Sequence, residues 1–346
     1  MSALGAALGA TPAKAAGKAQ GPEAKSKPGR RVADLLRPVG QAASVALGVS
    51  VVAFFLARIA LDDPALVKVR TLTNNYTATD PALVARFQHE FGTDRPLAIQ
   101  LGDFLLGLAR GDLGQSFQYK ELSVAELIGA GLGTTLLVAV AAVVSGTLVG
   151  VSLGLATATK RSKALDGALR AATTVSLAAP QALVGLVLIL ALSVWGGWLP
   201  AGGWGSGYPE NLEYLILPVA TLAIGLAPVV FRVTRERAME VLGESHIEAA
   251  RSRGLKPWQV GLRHVLPNCA APVVTVVAMG LGSLLSGAVI VEMVFGIPGI
   301  GHVLTEAIHT SDYPVIQAMT LLTGLVIVVC DMAAEMVGRL IDPRLR

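Results

Sequence analysis

Charged side chains are scarce in this sequence of 346 residues, since they make up 15% of it, against about 25% in soluble domains. Cysteine is scarcer still: Cys269 and Cys330 are the only two, and both lie in or beside apolar runs. That pattern fits neither a disulfide framework nor a spaced metal site, so we assign the two thiols no role.

A second group of absences concerns enzymes. No Gly-x-x-x-x-Gly-Lys-Ser/Thr motif occurs, which excludes ATP binding by a P-loop on this chain. The five histidines are scattered, and no Ser-His-Asp or Cys-His set is suggested. We therefore expect neither an ordinary enzyme, nor a metal site, nor a nucleic-acid partner.

Apolar residues are abundant instead. They make up 53% of the chain, with a mean hydropathy of +0.61, and several apolar runs approach twenty residues. Such runs match a hydrocarbon core about 30 Å thick, so we predict an all-α integral membrane protein with six transmembrane helices. The predicted spans are 39–61, 133–157, 171–194, 214–231, 269–291 and 315–337.

The distribution of Lys and Arg predicts the orientation. Of the 28 such residues, 21 lie in four segments on one side of the predicted spans and six lie on the other side. The positive-inside rule then places both termini in the cytoplasm. We divide the chain into a disordered cytoplasmic tail (1–38), a first transmembrane helix with an extracytoplasmic helical segment (39–132), and the remaining five spans (133–346).

The segment 62–132, which we call the outer segment, contains two helix patterns. Asp80 is a predicted N-cap for a helix that begins at Pro81 and stops at Gly92. A second helix is predicted over 96–110. The two helices either form a small cap on the outer face or lie on the lipid surface.

Residues 245–267, which we call the basic island, interrupt the apolar runs between the fourth and fifth spans. Ser245 and Glu248 have the spacing of a capping box at a helix start. Gly254 is placed to end that helix in a left-handed conformation, and Pro257 opens a second short helix. The pattern predicts a rigid helix–turn–helix about twenty residues long.

Two interpretations of the basic island compete. Small side chains at Ala249 and Ala250 would let another surface approach closely, which favours a partner protein. A basic inner loop that contacts lipid phosphates would explain the charge, but not the small residues, the cap or the placed glycine. Glu248 has two candidate roles, as a capping residue or as the ion-pair partner of an arginine on another chain. The positive charge comes from Arg251, Arg253, Lys256 and Arg263.

A series of short motifs runs in order from about residue 40 to 346. The motifs are Arg58 with Asp63-Pro64, 91–97, 111–116, Glu248-Ala249-Ala250 with Gly254, Arg263-His264 with Asn268, Leu266-Pro267, 291–295 with Pro298-Gly299 and Gly301, 312–314 and 342–344. Their order resembles that of permease subunits in ATP-binding-cassette importers of the dipeptide/oligopeptide/nickel type. Modest departures from that family's pattern are Asp62, His246 and Asp331.

The resemblance implies a type I importer transmembrane domain over 133–346, in the cell membrane of a prokaryote. Its expected partners are a second homologous permease subunit, two cytoplasmic ATPase subunits that carry ATP and magnesium, an extracytoplasmic substrate-binding protein and membrane lipid. No cofactor is expected on this chain. Closure of the ATPases would move the basic island and switch the pathway between inward and outward access.

The resemblance also assigns candidate site residues. The ATPase-coupling set is Ser245, Glu248, Ala249, Ala250, Arg253, Gly254, Leu255, Arg263, Leu266 and Pro267. The set at the outer face, for contact with the binding protein, is Asp94, Arg95, Asp112, Pro298 and Asp312. Polar groups and a possible bend within the spans give a translocation-pathway set of Pro180, Gln181, Ser283 and Ser286.

We therefore predict an ATP-driven importer subunit for di- or oligopeptides or similar small solutes, with nickel or another metal chelate as the alternative cargo. A different class, a proton-coupled transporter, would use Asp331 and Glu335, which lie one helical turn apart in the last span. A packing or interfacial role for these two carboxyls is the competing interpretation. Arg58 is expected to reach the outer surface near Asp62 and Asp63.

Overall fold

The computed structural model describes residues 28–74, 80–119, 121–159 and 163–341, with the backbone alone at 28–39, 41–42, 163–166, 331, 334–335 and 337–341. Apart from one isolated bridge between Gln115 and Ser123, these residues form helices and their connections. The helices are α1 (Pro28–Ala60), α2 (Pro64–Thr73), α3 (Pro81–Phe91), α4 (Leu97–Ala109), α5 (Val124–Thr159), α6 (Lys163–Ala178), α7 (Gln181–Leu188, continued by a π-helical stretch Ile189–Trp195), α8 (Asn211–Leu242), α9 (Ser245–Ser252), α10 (Pro257–Val260, continued by a π-helical stretch Gly261–Val265), α11 (Leu266–Phe295), α12 (Ile300–His309) and α13 (Tyr313–Ile341).

Among the described residues, five helices are long and apolar enough to cross a membrane, and a bent pair of helices brings the number to six. This confirms the predicted all-α membrane fold. The five are Ala43–Ala60, Val124–Thr159, Asn211–Leu242, Pro257–Phe295 and Tyr313–Cys330.

The predicted third span, 171–194, is not one straight helix. It consists of Gly167–Ala178 and Gln181–Trp195, which are inclined by 113° to each other. Pro180 explains the break, because proline has no N–H to donate and disfavours helical geometry at the residue before it.

The fourth and fifth spans are longer than the apolar runs that predicted them. The fourth span, predicted at 214–231, continues through the polar turns that follow it and ends at Leu242. The fifth begins before its apolar run, because α10 and its π-helical stretch lead into α11 without a break. The second half of the basic island is therefore the start of a membrane helix, whereas α9 is a separate short helix after α8.

Three glycines of α5, Gly146, Gly150 and Gly154, bring that helix close to α8. A Cβ atom on Gly150 would lie 2.7 Å from the Cβ atom of Val230. One on Gly154 would lie 2.7 Å from the Cβ atom of Thr234. The row of small residues thus serves helix packing, because any larger side chain would push the two helices apart.

The outer segment is folded onto the rest of the chain. Asp80 caps α3 by accepting a hydrogen bond from the Ala82 N–H at 3.0 Å. Phe91, the last residue of α3, stacks on Phe117 with 4.3 Å between ring centroids. Gly92 then ends the helix with a φ of 68°. These contacts support a packed cap rather than helices lying on lipid.

Arg58 corrects one expectation. Its guanidinium donates to Gln100 Oε1 at 2.7 Å and to the Phe54 carbonyl at 3.1 Å, rather than reaching Asp62 or Asp63. The reason is that α4 covers the end of α1 and offers an amide oxygen closer than either carboxylate. Arg58 thereby ties the outer segment to the first span.

The predicted tail, 1–38, differs from the structure in its last part. Helix α1 begins at Pro28, and residues 1–27 lie outside the described residues. Ala, Leu and Arg, which are good helix formers, predominate at 31–37, so the helix continues before the apolar run begins.

Candidate functional site

The first helix of the basic island, α9, ends in the geometry that the sequence predicted. Gly254 has a φ of +80°. Its N–H donates to the Arg251 carbonyl at 2.9 Å, and the N–H of Leu255 donates to the Ala250 carbonyl at 3.4 Å. These two bonds are the Schellman pair, which satisfies carbonyls left open at a helix end.

The predicted capping box at the start of α9 is wrong. Glu244 occupies the N-cap position in an extended conformation, without a side-chain cap hydrogen bond. Because the chain has already turned at Gly243, Ser245 is the first helical residue and its hydroxyl cannot serve as the cap. Ser245 is already helical and α9 has no side-chain hydrogen bond at its N-cap, so the capping box that gave Glu248 its capping role does not form. Both side chains are exposed.

An apolar cluster holds the basic island on the ends of the membrane helices. Ile247 of α9 and Val260 of α10 are buried with Ala158 of α5, Val241 of α8 and Cys269 of α11. The island is thus seated on three long helices. A force applied to α9 would therefore be transmitted to these helices.

The ATPase-coupling candidates differ in exposure, and this corrects the expectation that Ala250 lies on the surface. Ala250 is 6% exposed, so of the two alanines only Ala249 offers its side chain to another surface. Leu255 and Leu266 are half-buried. A Cβ atom on Gly254 would meet nothing within 4 Å. The exposed candidates are Ser245, Glu248, Ala249, Arg253, Gly254, Arg263 and Pro267.

The second half of the island continues into a membrane helix. The Lys256 N–H donates to Gln259 Oε1 at 2.9 Å where α10 begins. Asn268 donates from its side chain to the His264 carbonyl at 2.6 Å, across the junction with α11. Because Pro257–Phe295 is one apolar helical stretch, the second half of the island and α11 form one continuous helix.

The candidates for contact with the binding protein at the outer face also differ in exposure. Asp312 is 2% exposed and accepts hydrogen bonds from the Ser116 hydroxyl and from the Phe117 N–H, the latter at 3.1 Å. Burial raises the pKa of the Asp312 carboxyl, and these hydrogen bonds oppose the rise. Asp312 therefore holds the outer segment to the corner before α13, and it does not form part of a contact surface. Asp94, Arg95, Asp112 and Pro298 are exposed.

The pathway candidates lie on or beside α11. Gln181 follows the bend at Pro180, and its side chain fills the space over Gly287, where any Cβ atom would collide with it. Ser283 and Ser286 share an exposed face of α11. Their hydroxyls donate to carbonyls of the same helix, which satisfies them without a partner helix.

Glu292 lies in the motif 291–295, but the sequence alone assigned it no role of its own. It is fully buried at the end of α11 and accepts hydrogen bonds from the Thr135 hydroxyl at 2.6 Å and the Gly301 N–H at 2.7 Å. Thr135 in turn accepts from the Ile300 N–H at 3.0 Å. The network fastens α12 beneath α5 and α11. The sequence signal for this buried network is a carboxylate within an apolar run, followed by Gly299 and Gly301.

The predicted proton-relay pair lies in α13, but the side chains of Asp331 and Glu335 are outside the described part of the structure. Among the described residues, no group of three or more His, Cys, Asp or Glu side chains could hold a metal ion.

Comparison with known proteins identifies the family. Residues 146–346 match the family model described as the binding-protein-dependent transport system inner membrane component. The oligopeptide transport system permease AppB of Bacillus subtilis is 30% identical, over 87% of this chain and 95% of that protein. The permeases named OppB of Haemophilus influenzae and Escherichia coli K12 are 29% and 28% identical, each over 85% of this chain and over 92% and 93% of their own lengths. With its multiple membrane helices, the chain belongs to the family of binding-protein-dependent transport system inner membrane components.

Proposed function

We propose that the chain is a permease subunit that forms half of the translocation pathway of an ATP-driven peptide importer. The relatives described above are named for peptides, which supports di- or oligopeptides over nickel or another metal chelate as the cargo. Nickel remains the alternative cargo from the sequence, and no contact among the described residues favours it.

The observation that carries the proposal is the construction of the basic island. A buried apolar cluster fixes α9 from behind. Glu248, Ala249 and Arg253 face outward on it and are exposed. A rigid surface that carries both charges and one small side chain suits docking into a cleft on another protein.

The partners complete the proposal. Two ATPase subunits carry ATP and magnesium and bind the islands of this chain and of a second, homologous permease subunit. An extracytoplasmic binding protein delivers the peptide to the outer face, near the exposed Asp94, Arg95, Asp112 and Pro298. Closure of the ATPase pair pushes on α9 and on the adjoining α10, and so shifts the continuous α11, which carries Ser283 and Ser286.

Replacement of Glu248 by arginine tests the coupling role. We expect Glu248→Arg to lower uptake of a labelled tripeptide about tenfold or more, and to reduce recovery of the ATPase in a gentle detergent pull-down. Glu240→Arg is the matched control, since Glu240 is an exposed glutamate at the end of α8, outside the basic island.

The result against the proposal is undiminished uptake in Glu248→Arg cells that contain normal amounts of the permease. Inhibitors separate the ATP-driven importer from the proton-coupled class. Orthovanadate should stop uptake in the first case. If only an uncoupler stops it, the transport is proton-coupled and the proposal fails.

A further inference from the structure

A basic cavity of about 300 Å³ lies between α6 and α8. Three arginines and one carboxylate line it, so its side chains carry an excess of positive charge. The lining residues are Arg170, Thr174, Phe231, Arg232, Arg235 and Glu236.

The side chains of the cavity come from two helices and converge on one space. Arg232 of α8 donates to the Thr174 hydroxyl of α6 at 3.3 Å. Arg235, which also makes other interactions within the chain, is 9% exposed and forms a charged inner wall. Phe231 is buried and forms an apolar wall. Guanidinium groups on two elements, directed into a concave site, are the arrangement that recognises a phosphate.

The cavity lies at the same end of the helices as the basic island. It shares Arg235 with a larger cavity of about 670 Å³, whose lining includes Arg251 and Leu255 of the island. On α6, the face that carries Arg170 continues one turn beyond Thr174 to Leu177, which is 43% exposed. A charged opening followed by exposed apolar surface along one helix matches a lipid headgroup and its chains.

We propose that this cavity binds the phosphate headgroup of an anionic phospholipid, with an acyl chain lying along α6 beside Leu177. The positive-inside rule alone accounts for basic residues at this end, but not for their convergence from two helices on one concave space. The same chemistry would accept free inorganic phosphate. The apolar continuation on α6 favours the lipid.

Retention of lipid by the purified chain tests the proposal. The full-length protein is placed in nanodiscs of phosphatidylcholine containing a minor share of phosphatidylglycerol, and lipids that stay bound after transfer to detergent are counted by native mass spectrometry. We expect phosphatidylglycerol to be enriched on the wild type. The double variant Arg170→Gln/Arg232→Gln should retain on the order of tenfold less, since each arginine contributes to the affinity.

Arg237→Gln is the matched control. Arg237 lies on the same helix but pairs with Glu240 at 2.7 Å, outside the cavity, so its loss removes one positive charge, as the single variant Arg232→Gln does within the cavity, and should leave retention unchanged. Arg170→Lys/Arg232→Lys keeps the charge and should retain more phosphatidylglycerol than the glutamine variant. Circular dichroism and gel filtration show whether each variant is folded.

Three results would overturn the proposal. One is equal retention of phosphatidylglycerol by the folded glutamine variant and the wild type. Another is an equal loss in Arg237→Gln, which would show that net charge alone matters. The third is displacement of the lipid by millimolar inorganic phosphate with no dependence on the acyl chains, which would assign the cavity to a soluble anion.

Discussion

The outer segment and the basic island use charged residues in opposite ways. In and around the outer segment, Asp312 and Arg58 are enclosed and bonded within the chain. On the island, Glu248 and Arg253 are exposed, and only apolar residues behind them are buried. The difference teaches that charges bonded within the chain tie the outer segment to its neighbours, whereas the charges of the island form a surface left for another molecule.

The largest expected effect tests the enclosed charges. Asp312→Ala removes the acceptor of the Phe117 N–H and leaves buried donors without a partner. We expect it to lower the free energy of unfolding by about 3 kcal/mol, measured as a lower thermal midpoint in detergent. The exposed Asp94 provides the control, because Asp94→Ala should cost less than about 0.5 kcal/mol. Equal midpoints for the two variants would refute the distinction.

The next effect concerns the helices that connect the two regions. Gly150→Ala places a methyl group against Val230 and should destabilise the chain by about 1–3 kcal/mol, because α5 and α8 must separate. Gly129→Ala is matched in chemistry, yet a Cβ atom there meets nothing within 4 Å. Thermal unfolding should rank Gly150→Ala below both Gly129→Ala and the wild type, and the reverse order would contradict close packing.

A smaller effect is expected where the island turns. Gly254→Ala has room for its methyl group, but the backbone φ of +80° disfavours any side chain. We expect a cost of about 1–2 kcal/mol, borne by the local turn. Gly261→Ala, at an equally open position in a helical conformation, should cost less. Hydrogen exchange at the Leu255 amide would report the change, and unaltered protection in Gly254→Ala would contradict it.

The smallest effect on stability is expected at Glu248, and it tests most directly the comparison between the outer segment and the basic island. Glu248→Arg should leave the thermal midpoint unchanged within the equivalent of about 0.5 kcal/mol, since the side chain is exposed and does not cap the helix. Uptake should nevertheless fall, as proposed above. A large drop in the midpoint would mean that Glu248 acts within the chain, which would weaken the docking role.

Much of the fold could be read from local pattern. The apolar runs predicted the membrane helices, and Asp80 with Pro81 predicted the start of α3, because these features depend on neighbours in sequence. A break at Pro180 could be predicted from the sequence, but its angle of 113° depends on how α6 and α7 pack. Ser245 shows the limit of such rules, since one turn of the chain at Gly243 moved the cap to Glu244.

The sites were predicted less completely than the fold. Gly254 was identified from its position after a helix, and the structure confirms its left-handed backbone. Ala250 and Asp312 were expected on surfaces, but both are buried, because exposure is decided by elements far away in sequence. The role of Glu292 depends on Thr135, which lies on another helix.

The sequence by itself determined the membrane helices, the rigid turn at Gly254 and the position of the basic island, because periodicity and backbone preference act over a few residues. Only the tertiary structure decided which charged side chains are bonded within the chain and which are exposed to a partner. Arg58 meets Gln100, and Arg232 meets Thr174, through helices that the chain brings together from distant positions. Whether a polar group is satisfied or left open to a partner depends on such long-range neighbours, which local pattern does not encode.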